Sequence, residues 1–307
     1  VIASFASSNC LSAETSAEET CEPCRTEFPC QDYNLSATLS SGQVFRWNCR
    51  EAGWEGVVGS RWIRLSSGPE GIVTETALPC EDWNWLRGWL RVDEKLSEIL
   101  ATFPDDEPMR AAAAACTGLR LLRQDPWECL ASFILSSTKQ IVQIRQIVAL
   151  LCERFGEPVV VPAGRAPQYA FPTPERIAAA TDAGLRACKM GFRAPYLLAT
   201  ARRIVGGGMD LRPLSTFSVS EARARLMELP GVGRKVADCV LLFGYGFQAA
   251  FPVDVWVMKA LRRLYFPGRR VAPKRLQQFT ATHFGPNSGY AQQYLFHYMR
   301  VHRRAEA

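Results

Sequence analysis

Histidine is nearly absent. The 307 residues contain three, His283, His297 and His302, and none precedes position 283. Histidine-based nucleophile triads and HExxH metal sites need that residue at defined spacings, so both are disfavoured. Any catalysis must then rest on Lys, Asp, Glu or Cys. Long apolar runs are missing too. No stretch approaches the roughly 18 consecutive apolar residues of a membrane span. Cysteine ends at Cys239, which excludes a C-terminal iron–sulfur cluster. Acid is scarce where base is dense: residues 256–307 hold ten Lys or Arg and one acid, Glu306. Residues 1–34 are the reverse, with six acids and one base.

What is present is an ordinary globular composition, 48% hydrophobic and 21% charged with a net charge of +6. The length suits about two domains. A basic body with a concentrated basic C-terminal quarter points to a polyanionic partner. Eleven cysteines is many. Five of them, Cys116, Cys129, Cys152, Cys188 and Cys239, sit in helical apolar patterns, where a reduced Cys packs as a small hydrophobe. The odd number and the lack of a signal-peptide pattern argue for a reducing interior. Cys21-Glu-Pro-Cys24 lacks a clear second ligand pair, so no metal site is expected.

Residues 1–30 read as a disordered tail and 31–110 as a β-rich domain. Short β-branched and aromatic runs follow one another: Leu35–Leu39, Gln43–Trp47, Trp54–Val58, Arg61–Leu65 and Ile72–Thr76. Gly or Ser separates most of them, the pattern of an antiparallel sheet. A short helical pair around Glu81–Ala101 follows. Residues 111–307 read as a helical domain. Asp125-Pro126-Trp127-Glu128 is a helix start, with Asp as N-cap, Pro at N1 and Glu at N3. Helices are expected over Val142–Phe155, Pro174–Ala180, Ala194–Val205 and Val219–Leu229, the last opened by a Ser218/Glu221 capping box. The fold class is therefore α+β, an N-terminal antiparallel sheet followed by an all-helical domain.

The chemistry gathers in two segments. Leu229-Pro230-Gly231-Val232-Gly233 joins two amphipathic helices. Its glycines permit a tight turn that exposes successive N–H groups beside a helix N-terminus, an anion site. This is a helix-hairpin-helix pattern for gripping a nucleic-acid phosphate, although an ordinary αα turn is the plain alternative. Lys235 falls in the first turn of the second helix. The positive end of a helix disfavours an ammonium, and a neutral amine can form a Schiff base. Nineteen residues on, Phe251-Pro252-Val253-Asp254-Val255-Trp256 places Asp254 as an N-cap. Taken singly, Lys235 is one more phosphate-binding lysine and Asp254 one more cap. Together they suit cleavage of an N-glycosidic bond through an oxocarbenium-like transition state.

At this point the chain resembles the helix-hairpin-helix DNA glycosylase superfamily, and more closely the 8-oxoguanine DNA glycosylase/lyases. Three further segments carry the closer resemblance: Leu39 to Trp47 around Ser41-Gly42-Gln43, Gly118 to Pro126, and Gly289-Tyr290-Ala291-Gln292 with Leu295-Phe296. The match runs from about Asn34 to Phe296. It implies a bifunctional enzyme of base excision repair that removes 8-oxoguanine and nicks the abasic product. Lys235 would attack the sugar C1′, and Asp254 would be the essential carboxylate. Gly42 would offer its carbonyl to the N7–H that guanine lacks. Gln292 would read the Watson–Crick edge, with Cys239 and Phe296 on either side of the ring. Plain core packing is the alternative for Cys239 and Phe296, as a hairpin turn is for Gly42. Because the target carbon is unreachable in a duplex, the nucleotide must be flipped out. Phe192 would then fill the gap and Arg193 contact the orphaned cytosine, while Gly231, Val232 and Gly233 hold the backbone.

The chain departs from the family at Thr138-Lys139-Gln140, where an Asn-rich triplet is common, at Gln143 in place of an arginine, and at Trp256 in place of a histidine. The first two changes imply a looser selection of the opposite base, and the third a different phosphate contact. The expected partner is damaged double-stranded DNA, bound by a monomer without metal, cofactor or membrane. A bacterial cytoplasmic, nucleoid-associated location is expected, or the nucleus in a eukaryote. A glycosylase for another damaged base and a non-enzymatic helix-hairpin-helix DNA-binding module are the rival readings.

Overall fold

The computed structural model describes residues 24–51 and 53–305, with side chains to 301. Its first part is strand β1 (Cys24–Pro29), helix α1 (Leu35–Ser40), and strands β2 (Asn48–Arg50), β3 (Gly53–Val58), β4 (Arg61–Ser67) and β5 (Gly71–Thr76). The strands form one antiparallel sheet in the order β1-β5-β4-β3-β2. Helices α2 (Asn84–Leu90) and α3 (Leu96–Leu100) follow. Leu86 and Leu90 of α2 are buried with Ile63, Leu65 and Ile72 of the sheet. At Gly56 an added Cβ would lie 2.6 Å from the indole of Trp47, so the missing side chain admits that buried ring.

Three expectations change here. The tail was expected to reach residue 30, yet Cys24–Pro29 is an edge strand paired with β5, Phe28 opposite Ile72. Only Phe28 of this polar strand is buried, at 2% exposure, and burying such a ring is worth about 1.5–3 kcal/mol. Cys10 and Cys21 lie outside the described residues. Leu35–Leu39 is helix rather than strand. The Asn34 side chain accepts from the Ala37 N–H at 2.8 Å, and Leu35 and Leu39, four apart, bury one face. Gln43–Trp47 is a run of bends that joins no ladder. Its polar groups turn to another segment: Leu122 N–H donates to Gln43 Oε1, and Gln124 Nε2 to the Gln43 carbonyl, both at 2.8 Å.

The helical part comprises α4 (Glu107–Ala115), α5 (Pro126–Leu135), α6 (Ile141–Phe155), α7 (Pro174–Ala178), α8 (Asp182–Arg186), α9 (Ala194–Val205), α10 (Val219–Met227), α11 (Arg234–Val240), α12 (Val255–Leu264), α13 (Pro273–Thr282) and α14 (Ser288–Ala305). A small two-stranded ladder, β6 (Pro158–Val159) with β7 (Gln168–Tyr169), interrupts it. The Asp125 cap and the Ser218/Glu221 box both form. The buried stripes of α5, α6, α9, α11, α12 and α14 meet in one core. The two parts interlock: Phe45 enters the helical core, and Leu122 enters the core beneath the sheet.

Candidate active site and nucleic-acid interface

The hairpin between α10 and α11 is built for tightness on one side and openness on the other. Gly231 has φ +77°, and a Cβ there would lie 2.8 Å from Tyr196 Cβ, so only glycine fits. Val232 is buried and its N–H donates to Leu229 O at 3.1 Å, while Thr200 Oγ1 holds Pro230 O at 3.0 Å. Gly233 differs. Its φ is −90°, and a Cβ would meet nothing within 4 Å. Among the described residues, the N–H groups of Gly231 and Gly233 donate to no backbone carbonyl. First-turn N–H groups of α11 have no intrahelical acceptor either. The loop and helix end thus present a row of donors with clear space at Gly233.

Lys235, second residue of α11, reaches back to the end of α5. Its Nζ donates to Ser136 Oγ at 3.0 Å and stands 5.0 Å from the Phe133 ring centroid. Asp254 caps α12, its Oδ1 accepting from Val257 N–H at 2.8 Å. Burial pushes the Asp254 carboxyl up from its ordinary value, opposed by the Val257 N–H, Lys235 and Arg300. One turn beyond Lys235, Cys239 is buried, and burial pushes its thiol up to about 12. It is a neutral wall.

These groups share one pocket of about 570 Å³. Gly42, Lys235, Cys239, Asp254, Gln292 and Phe296, all expected at the site, line it together. Gly42 has φ +85°; a Cβ would come within 2.6 Å of Ile141 Cδ1 and 3.4 Å of Phe296 Cε1. Gln292 is buried and its Oε1 has no hydrogen-bond partner. A buried acceptor that the protein itself does not pair is available to a ligand entering the pocket. Among the described residues no group of three or more His, Cys, Asp or Glu could hold a metal ion, and no helix is long and apolar enough to cross a membrane.

Phe192 and Arg193 sit apart from that lining, in a 3-10 turn before α9. Phe192 is 55% exposed. Arg193 is buried beneath it, with its guanidinium 4.2 Å from the ring centroid. It donates to Ser137 O, to Thr138 Oγ1 and to Met190 O. The sequence expectation had it reaching an orphaned base; here it is folded back onto the α5–α6 turn. Thr138 in that turn has φ +56°, an outlier for a β-branched residue.

Sequence reasoning missed Phe45, Phe133, Ser136, Phe243 and Arg300, which also line the pocket. Arg300 lies four residues beyond Phe296 and eight beyond Gln292, so helical period along α14 would have found it. Its guanidinium stands 5.4 Å from the Phe296 ring centroid. Ser136 and Phe133 carry no such signal.

Residues 26–130 match the family "8-oxoguanine DNA glycosylase, N-terminal domain", and residues 131–284 match "HhH-GPD superfamily base excision DNA repair protein". A probable N-glycosylase/DNA lyase of Methanothermobacter thermautotrophicus is 31% identical over 223 residues, 66% of this chain and 70% of that protein. The N-glycosylase/DNA lyase OGG1 of Arabidopsis thaliana is 29% identical over 285 residues, 86% of this chain and 77% of that one. Among solved structures, MBOgg1 in complex with a low-affinity DNA ligand superposes with a TM-score of 0.85 at 32% identity, covering 92% of this chain and all of that one. The Clostridium acetobutylicum 8-oxoguanine glycosylase/lyase, in complex with double-stranded DNA containing cytosine opposite 8-oxoguanine, gives 0.83 at 32% identity, covering 88% and 93%.

Proposed function

The chain belongs to the 8-oxoguanine DNA glycosylase branch of the HhH-GPD superfamily of base excision DNA repair proteins, and from that premise we propose that it excises 8-oxoguanine from duplex DNA and cleaves the abasic product. The observation that carries the reading is the meeting of Lys235 and Asp254 with Gly42, Cys239, Gln292 and Phe296 in one pocket.

The hairpin N–H groups take a backbone phosphate, with Gly233 leaving room for it. Phe192 fills the space of the flipped nucleotide. Arg193 must exchange its present carbonyl partners for the opposite base. In the pocket the lesion's ring lies between Phe296 and Cys239, the Gly42 carbonyl accepts its N7–H, and Gln292 pairs with its Watson–Crick edge.

Lys235, having given up a proton from its ammonium, then attacks C1′ through the amine lone pair. The C1′–N9 bond breaks, and the base leaves with the electron pair and is protonated. Positive charge gathers on the sugar, and the Asp254 carboxylate on the pocket wall opposes it. The carbinolamine-type adduct opens its ring to a C1′=N iminium, the Schiff base. Loss of a C2′ proton expels the 3′ phosphate. The basic C-terminal quarter contributes salt-sensitive affinity. One chain completes the pocket, so a monomer suffices.

The test is borohydride trapping on an oligonucleotide carrying 8-oxoguanine opposite cytosine. A covalent complex is expected, and Lys235→Ala abolishes it. Binding without trapping on any lesion leaves only a DNA-binding module, and trapping confined to another lesion reassigns the substrate.

A further inference from the structure

Behind the lesion pocket lies a second cavity, of about 600 Å³. The segment Gly42–Trp47 divides the two. Gly42 and Phe45 line the lesion pocket, while Val44, Arg46 and Trp47 line the other. The far wall is α2, and the tip of the β3–β4 hairpin and the start of α5 close the sides.

Three features of this cavity stand outside the lesion chemistry, although Trp85 and Trp89 also pack on the core beneath the sheet. First, Trp85 and Trp89, one turn apart on α2, line it and are each partly exposed. Trp89 is backed by the buried Trp47, ring centroids 5.5 Å apart. Second, Gly88 lies between them on the same lining. Its backbone is not in the left-handed region, and an added Cβ would meet nothing within 4 Å. A glycine inside a helix costs about 1 kcal/mol relative to alanine. Neither conformation nor packing requires it, and its bare backbone leaves the space beside the two indoles open. Third, Glu128 pairs with the buried Arg46 through Oε2 at 3.1 Å, and Arg46 also donates to Tyr169 O. The other carboxylate oxygen, Oε1, accepts no hydrogen bond from the described residues. Burial pushes the Glu128 carboxyl up, with Arg46 opposing.

A carboxylate oxygen left free to accept matches a ring edge that carries N–H. Indole faces match a planar ring. At the rim, the exposed Arg123, which donates to Tyr245 O at 2.8 Å and lies against Gly246, adds a positive charge that favours an anion. We propose that this cavity is a second binding site, for a lactam heterocycle of the oxopurine or pyrimidinedione class carried on a nucleoside monophosphate. The ring stacks on Trp85 and Trp89 over Gly88, its N–H meets Glu128, and its phosphate meets Arg123.

The experiment titrates the whole protein with guanosine monophosphate, following tryptophan fluorescence and, by calorimetry, stoichiometry. One saturable site is expected. Gly88→Leu fills the slot with a better helix former, so the protein folds and still excises lesions, yet binding weakens at least tenfold. Trp85→Ala and an N1-methylated guanosine monophosphate weaken it similarly. Gln292→Ala, in the lesion pocket, leaves it unchanged. The proposal is overturned if no saturable binding occurs, or if Gly88→Leu binds as the wild type does. It is also overturned if Gln292→Ala abolishes binding, which places the nucleotide in the lesion pocket, or if ribose 5-phosphate binds equally well, which leaves an anion site only. Lesion excision by Gly88→Leu keeps a failure here distinct from a failure of the glycosylase reading.

Discussion

Replacing Asp254 by Asn should make the protein more stable while abolishing excision. The carboxyl is raised above its ordinary value by burial, against the opposing pull of the Val257 N–H, Lys235 and Arg300. A raised carboxyl means that the folded chain holds its proton more tightly than the unfolded chain, whose carboxyl titrates near about 3.9. Stability is therefore lost as pH rises from about 4 through the folded value, and at neutral pH the full deficit stands. Asn removes the charge and keeps the cap, because its Oδ1 can accept from Val257 N–H as the carboxylate does at 2.8 Å. Lys235 retains Ser136 Oγ and the Phe133 face, so its ammonium is not left bare. Relief of this kind commonly yields about 0.5–2 kcal/mol. At about 2–4 °C per kcal/mol for domains of about 150–250 residues, the melting temperature rises by a few degrees. Asp254→Ala gives an internal standard. It gains the same relief but loses the cap, about 1 kcal/mol, and so should melt below Asp254→Asn. The assay is thermal and urea unfolding at pH 7.5 and again near pH 4, where the advantage of Asp254→Asn should shrink. An Asp254→Asn protein less stable than wild type at pH 7.5, or a gap that ignores pH, would refute the reasoning.

The two hairpin glycines should separate stability from DNA affinity. Gly231→Ala forces a Cβ against Tyr196 at φ +77° and should lose at least about 1–2 kcal/mol. Gly233→Ala should melt as wild type does and bind duplex DNA more weakly; anisotropy with unchanged affinity would show that no phosphate approaches there. Arg223 Nε holds the buried Asp238 Oδ1 at 2.5 Å. Arg223→Met leaves that carboxylate largely unpaired, a loss of about 3 kcal/mol, eased by Arg234, 3.7 Å from Oδ2. Burial already raises the Asp238 carboxyl, so this loss should be greatest at neutral pH, diminish on acidification, and be relieved by adding Asp238→Asn. Urea titrations across pH read all three.

The legible parts of the chain were the local ones. The Asp125 and Ser218 caps bond within three residues, and the hairpin glycines and the Asp254 cap are equally short-range. Leu35–Leu39 was misread because two leucines four apart with few residues between serve a short helix as well as a strand; the Asn34 cap decided it. β1 was hidden because an edge strand with one buried side chain has no apolar alternation to display. Gly42 as a pocket residue came from resemblance, since a glycine after Ser-Ser reads equally as a turn.

By itself the sequence determined the charge asymmetry, the hairpin, the Lys235–Asp254 spacing and the scarcity of histidine, because each is a matter of composition or of neighbours along the chain. Only the tertiary structure decided what surrounds them. Lys235 meets Ser136 across 99 positions, and the Gln293 amide reaches Ser41 O across 252. It also folded Arg193 under Phe192 and opened a second cavity behind Gly42–Trp47. Such pairings follow from how α5, α11 and α14 pack on one another, and helix packing is settled by the burial of whole faces, which no local spacing records.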